Sequence, residues 1–241
     1  MHTRHSLTED LVRLGVCPGD KLFVHSSFKS LGPVDGGAAT VIASLEDALF
    51  PGGLLLMPGF NLVEKDKREE TWNITTTPST VGHLTEFFRL MPGTVRSDHY
   101  SHSVTARGCG AADFVEGHRS NEGSESPWDR APWGRTFGRH SPFMKAYESG
   151  KLLMLGVDYH SSTFVHLVET LWWNERRKTN SSQEYVFLHR EKLGGYWDGL
   201  GRPARGRVGG ADTRLFRIRD FVDTLRDLVR REPENWLKWR G

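Results

Sequence analysis

Two short apolar runs, at residues 21–25 and 54–57, with one amphipathic segment between them at 36–50, constrain this chain more than any other feature. Each run has the length and composition of a buried strand. Between them Val41, Ile42, Leu45, Ala48 and Leu49 recur at helical spacing, and Pro51-Gly52-Gly53 stops the helix. Strand, helix, strand in that order predicts a parallel pair joined by a crossover helix, the unit of an α/β fold. A third apolar run, 152–157, repeats the pattern. It gives way to a polar loop and to a helix opening at about Ser161–Thr163, residue types that favour helix starts.

Elsewhere the signals are more local. Ser6 and Glu9 read as a capping box opening a first helix with Leu7, Leu11, Val12 and Leu14, ended by Pro18-Gly19-Asp20. Residues 60–78 form a polar loop. Val81, Leu84, Phe87, Phe88 and Met91 make a helix stripe, and 102–106 reads as a strand. Residues 117–142 are irregular and rich in Gly, Pro, Ser and Trp; a loop this long inside a domain is more often functional than decorative. After a helix over 162–177 come a strand-like segment at 184–190, a Gly/Arg-rich stretch at 194–210, a strand at 214–218 and a last helix with Phe221, Val222, Leu225, Leu228 and Val229. With no internal repeat and no dividing linker, 1–241 reads as a single domain.

Composition excludes several classes. A net charge of +2 over 241 residues gives no global argument for nucleic-acid or membrane binding. No apolar stretch has the roughly 18 residues of a membrane span, and the N-terminus lacks a signal-peptide core. Two distant cysteines, Cys17 and Cys109, fit a reducing, cytoplasmic setting with free thiols, and Cys109 between glycines reads as a small packing residue.

The chemistry concentrates after the third apolar run. His166 and Glu169 sit three apart on one helix face, and Asp158 leaves the strand end just before them. An imidazole beside carboxylates at a strand-to-helix junction is the pattern of a general base; a surface histidine with incidental acids is the competing reading. The turn His25-Ser26-Ser27-Phe28, with Gly36-Gly37 beyond, presents hydroxyls and amides suited to phosphate groups, or is ordinary turn chemistry. Thr75-Thr76-Thr77 fits either an anion or simple capping. His99 and His102 match no common zinc spacing, and no metal is expected.

Several segments together resemble the aminoglycoside 3-N-acetyltransferase family. They include Pro18-Gly19-Asp20 through His25-Ser26-Ser27, Leu31-Gly32-Pro33, Pro51-Gly52-Gly53, Thr77-Pro78-Ser79, and Arg96-Ser97-Asp98-His99 with His102-Ser103-Val104. The stretch Leu155-Gly156-Val157 to His166 and Glu169, and Arg219-Asp220-Phe221-Val222-Asp223 near the end, complete the resemblance in family order. It implies a mixed-sheet α/β/α sandwich, often a homodimer, that transfers acetyl from acetyl-CoA directly to an amine. By it His166 is the base, with Glu169 near the substrate ammonium and Asp158 as a further catalytic candidate. Ser26, Ser27, Phe28, Thr77, Ser103 and Val104 fall at the cofactor, and Asn61, Glu64, Asp129 and Glu169 at the acceptor. The acceptor is expected to be an aminoglycoside or aminocyclitol, kasugamycin among the small atypical ones. An amino sugar or small amine in a biosynthetic pathway, or CoA binding without catalysis, are the alternatives. Acids at Glu64, Asp66, Glu69, Glu70, Glu122, Glu125 and Asp129 either attract a polycationic sugar or are solvated loop charge.

Overall fold

In the computed structural model, which describes residues 1–63 and 65–238, strand β1 (Lys21–Ser26) is the middle member of a seven-stranded sheet. It pairs in parallel with β2 (Leu54–Pro58) on one side, Lys21 opposite Leu54, and with β5 (Lys151–Leu155) on the other, Ser26 opposite Leu155. Helix α2 (Gly37–Leu49) makes the expected crossover between β1 and β2. Beyond this trio every pairing is antiparallel: β2 with β4 (Val104–Gly108), β4 with β3 (Val95–Arg96), β5 with β8 (Ala211–Arg217), and β8 with β7 (Ala204–Val208). The sheet is therefore mixed, in the order β3-β4-β2-β1-β5-β8-β7. A separate two-stranded ribbon joins β6 (Phe187–Leu188) to β9 (Leu237–Lys238).

The apolar runs are continuous because both faces of the central strands are covered. Leu22, Val24, Leu55, Met57, Leu153 and Leu155 pack on one side with α1 (Arg4–Leu14), α2 and α4 (His83–Leu90). Their sequence neighbours Phe23, Leu54, Leu56, Leu152 and Met154 face the other side. There they meet α5 (Ala111–Val115), α6 (Pro142–Ser149), α7 (Thr163–Arg177) and α9 (Ile218–Arg231). The α/β/α sandwich thus follows from the strand period of two applied to wholly apolar sequence. Among the described residues no helix is long and apolar enough to cross a membrane.

Several boundaries differ from expectation. Helix α1 starts earlier, with Thr3 as N-cap and Ser6 closing the capping box, while Glu9 pairs with His5 at 3.2 Å instead. The strand expected at 102–106 begins at Val104, and that expected at 184–190 shrinks to Phe187–Leu188. Strand β5 ends at Leu155 because Gly156 turns the chain with a φ of 67°. The Gly/Arg-rich stretch conceals α8 (Arg190–Gly199) and β7, and the 60–78 loop holds a single turn of helix, α3 (Arg68–Thr71). Cys109 is exposed just past β4 rather than packed.

Candidate active site

The parallel strands β1, β2 and β5 end at one edge of the sheet, the place where open α/β sheets bind ligands. From the end of β5 the chain passes through a turn capped by Asp158, whose carboxylate accepts from His160 N at 3.0 Å, and enters α7 at Thr163. The end of β1 is tied to this entry: His25 Nε2 accepts the Thr163 amide at 3.4 Å. Burial, and then the charge of Arg190, push the His25 imidazole down to about 3, so it is a neutral clamp for a helix start.

One turn into α7, His166 and Glu169 meet at 2.6 Å between Nδ1 and Oε2. Glu169 is fully buried, and its carboxylate accepts from three donors: His166, the Tyr185 hydroxyl at 2.9 Å and the Leu188 amide at 2.8 Å. A carboxylate only accepts, so Nδ1 carries the imidazole hydrogen and Nε2 keeps a lone pair. The Arg190 guanidinium donates to that Nε2 and, through Nη1, to the His160 carbonyl at 2.8 Å. Burial and the Glu169 carboxylate raise the Tyr185 phenol, keeping it a neutral donor. The Trp128 ring packs edge-on at 4.7 Å from His166, with Phe187 at 6.0 Å and His102 at 6.3 Å. Beside Arg190 a cleft of about 1100 Å³ opens, lined by His160, Phe187, Leu188, His189 and Lys192. Arg190 itself lines the cleft and contacts the His166 imidazole, which is not part of the lining.

This geometry redistributes the expected residues. Glu169 lies behind His166 with both oxygens engaged, so it orients the imidazole and has no face for a substrate ammonium. Asp158 is exposed and serves as a turn cap, apart from the His166 pair. Ser26, Ser27 and Phe28 stay together at the end of β1. There the Ser26 hydroxyl is enclosed without a partner among the described residues, and Ser27 Oγ accepts from Ser30 at 2.9 Å. Thr77, Ser103 and Val104 are interior. The Thr77 hydroxyl accepts from Asn73 N at 2.8 Å, Ser103 Oγ donates to the Gly59 carbonyl at 2.8 Å, and Val104 packs in the core. Their side chains are engaged within the protein beside strands β2 and β4.

On the acceptor side, Asp129 organises the long loop. It accepts from Ser126 Oγ at 2.5 Å, Ser126 N at 2.7 Å and Thr136 N at 2.9 Å. Asn61 closes a local turn onto Val63 N at 2.9 Å, and Glu64 lies outside the described residues. Glu69, Glu122 and Glu125 pair with Arg130, His140, and Arg135 and Arg177 respectively. Sequence reasoning missed Arg190, Trp128, Tyr185 and Phe187. Trp128 alone had a signal, its place in the long 117–142 loop; the others come from chain far beyond the helix they serve.

The mixed sandwich is the fold of solved aminoglycoside acetyltransferases. The YokD protein of Bacillus subtilis superposes with a TM-score of 0.77 at 26% identity, covering 97% of this chain and 95% of that one. A His-to-Ala variant of aminoglycoside acetyltransferase AAC(3)-IVa in complex with apramycin gives 0.75 at 27%, covering 96% and 93%. The aminoglycoside 3-N-acetyltransferase family model matches residues 23–230, and the chain belongs to that family. In sequence, an aminoglycoside N(3)-acetyltransferase III of Acinetobacter baumannii is 33% identical over 71% of this chain and 61% of its own length.

Proposed function

We propose that this protein transfers the acetyl group of acetyl-CoA to an amine of an aminoglycoside or related aminocyclitol, with His166 as general base. The observation that carries this is the sealed Glu169–His166 hydrogen bond, which fixes a lone pair on Nε2. An acceptor ammonium must lose a proton before nitrogen can attack a thioester. Once that proton has gone to solvent, Nε2 takes a second N–H proton as the N–C bond forms and the C–S bond breaks, and the imidazolium returns it to the departing CoA thiolate, leaving a neutral amide. Transfer is direct, without an acyl-enzyme. Ser26 and Ser27, with Phe28, are positioned to receive the donor at the end of β1, and the unpartnered Ser26 hydroxyl supports that assignment. For Nε2 to act, Arg190 has to give up its hydrogen bond, so acceptor binding displaces that side chain.

A small aminoglycoside such as kasugamycin suits the short 60–78 segment. A second reading, an amino sugar of a biosynthetic pathway, is favoured by one observation. The loop acids Glu69, Glu122 and Glu125 are already paired, while Arg190, next to the base, has no carboxylate partner among the described residues. Release of free CoA from acetyl-CoA, followed across aminoglycosides, nucleotide-linked amino sugars and simple amines, tests both. Turnover with aminoglycosides supports the first reading. Turnover confined to nucleotide-linked amino sugars replaces it with the second, and tight CoA binding without turnover on any amine overturns both.

A further inference from the structure

Three histidines that the proposed chemistry does not use cluster behind the site: His99 stacks on His118 at 4.5 Å and stands edge-on to His102 at 6.2 Å. His118 Nε2 faces the Thr136 carbonyl at 3.1 Å and must donate to it, so its Nδ1 accepts from Ser97 Oγ at 2.8 Å. His99 Nδ1 accepts two backbone amides, Ser101 N at 3.3 Å and His102 N at 3.1 Å. Its hydrogen therefore sits on Nε2, directed to Thr136 Oγ1 at 3.2 Å. The Ser101 hydroxyl lies 2.8 Å from His102 Nδ1, and with the hydroxyl as donor the His102 hydrogen sits on Nε2.

His102 Nε2 has no hydrogen-bond partner among the described residues, although the side chain is 93% buried (7% exposed). The ring stands edge-to-face to His166 at 6.3 Å, and both rings lean on Trp128, at 4.9 and 4.7 Å. Two imidazoles thus share one wall: one offers a lone pair, the other an N–H.

We propose that His102 is a second catalytic residue, a neutral electrophile that donates Nε2–H to the acyl carbonyl oxygen as it gains negative charge during attack. The assignment rests on the acetyl-transfer reading of the His166 site. Burial first, and then the charge of neighbours led by His166, hold the His102 imidazole well below the usual histidine range. It is neutral at working pH and pre-organised as a donor rather than an acid. No proton is transferred to or from it; the hydrogen bond tightens as the tetrahedral centre forms and relaxes as the C–S bond breaks.

Two measurements test this. His102→Phe keeps the aromatic packing and removes the donor. Its kcat should fall about 100- to 1,000-fold, with KM for the amine within a few-fold, and His102→Gln, whose amide hydrogen reaches a similar position, should recover at least tenfold of the loss. A His102→Phe protein with kcat within threefold of the parent, or one whose whole defect lies in KM for the amine, overturns the proposal. Long-range ¹H–¹⁵N spectra of the histidine rings need no acceptor. They should show His102 as the Nε2–H form, its proton moving downfield on addition of acetyl-CoA; an Nδ1–H form, or no response to bound acetyl-CoA, contradicts it. The spectra judge His102 even if no amine is turned over, which separates its failure from failure of the acetyl-transfer reading.

Discussion

At the scale of single residues, the orientation of one amide hydrogen decides whether His166 can act. The Leu188 amide must be accepted by Oε1 of residue 169, and the carboxylate leaves Oε2 to accept from His166 Nδ1. In Glu169→Gln the side-chain oxygen is held by Leu188 N, so the NH2 group faces Nδ1 and drives the imidazole hydrogen to Nε2. In the proposed mechanism the base is then lost, and the Arg190 guanidinium and the Tyr185 hydroxyl, which donate to Nε2 and Oε2, must reorient. We expect kcat to drop roughly 100- to 10,000-fold, close to the effect of His166→Ala, with acetyl-CoA affinity unchanged. Steady-state kinetics with equilibrium binding checks this, and near-normal kcat in Glu169→Gln would contradict it. The sequence showed the three-residue spacing that brings His166 and Glu169 together. It did not show that Glu169 is sealed, because Tyr185 and Leu188, which seal it, lie 16 and 19 residues further along the chain. Nor did it show Arg190, whose contact with His166 spans 24 residues.

At the scale of elements, α8 carries Arg190 to the site, and two adjacent glycines in it behave oppositely. A Cβ at Gly194 would meet the Tyr159 ring at 2.1 Å, because the helix packs directly against that aromatic side chain. A Cβ at Gly195 would meet nothing within 4 Å. Alanine has the higher helix propensity at both positions. Gly194→Ala should nevertheless destabilise by about 1–3 kcal/mol through overpacking, whereas Gly195→Ala should stabilise by up to about 1 kcal/mol. Urea midpoints measure both, and equal signs would refute the close packing of α8 on Tyr159. These glycines are also why α8 was unreadable: their low intrinsic propensity hides a helix that tertiary contact imposes. Helix α6 was missed too, although Ser141 caps it through the Met144 amide. Its Ser-Pro start lies inside the irregular 117–142 stretch. Ser141→Ala should cost about 1 kcal/mol, read from thermal unfolding.

For the molecule as a whole, the mixed sandwich was legible in its centre and less so at its edges. Continuous apolar runs at β1, β2 and β5 require cover on both faces, whereas β3, β7 and the β6–β9 ribbon are too short or too polar to announce themselves. The centre also buries four histidines, His25, His99, His102 and His118, in neutral form. Burial is the first cause of the lowered value in each. Above about pH 6.5 these rings are neutral in folded and unfolded chains alike, and their full stability is present. As pH falls below that, the unfolded chain takes up protons that the folded chain refuses. Stability then declines by about 1.4 kcal/mol per pH unit for each ring, until the folded value is reached, about 3 for His25. Denaturant unfolding between pH 8 and 5 should show this decline, and a flat profile would contradict it. The central claim, that this fold holds a base for acetyl transfer to an amine, is tested most directly by free CoA release from the parent protein and His166→Ala at saturating acetyl-CoA. The account predicts amine-dependent turnover that falls about 100- to 10,000-fold in the variant while acetyl-CoA still binds; near-normal turnover by His166→Ala would contradict it.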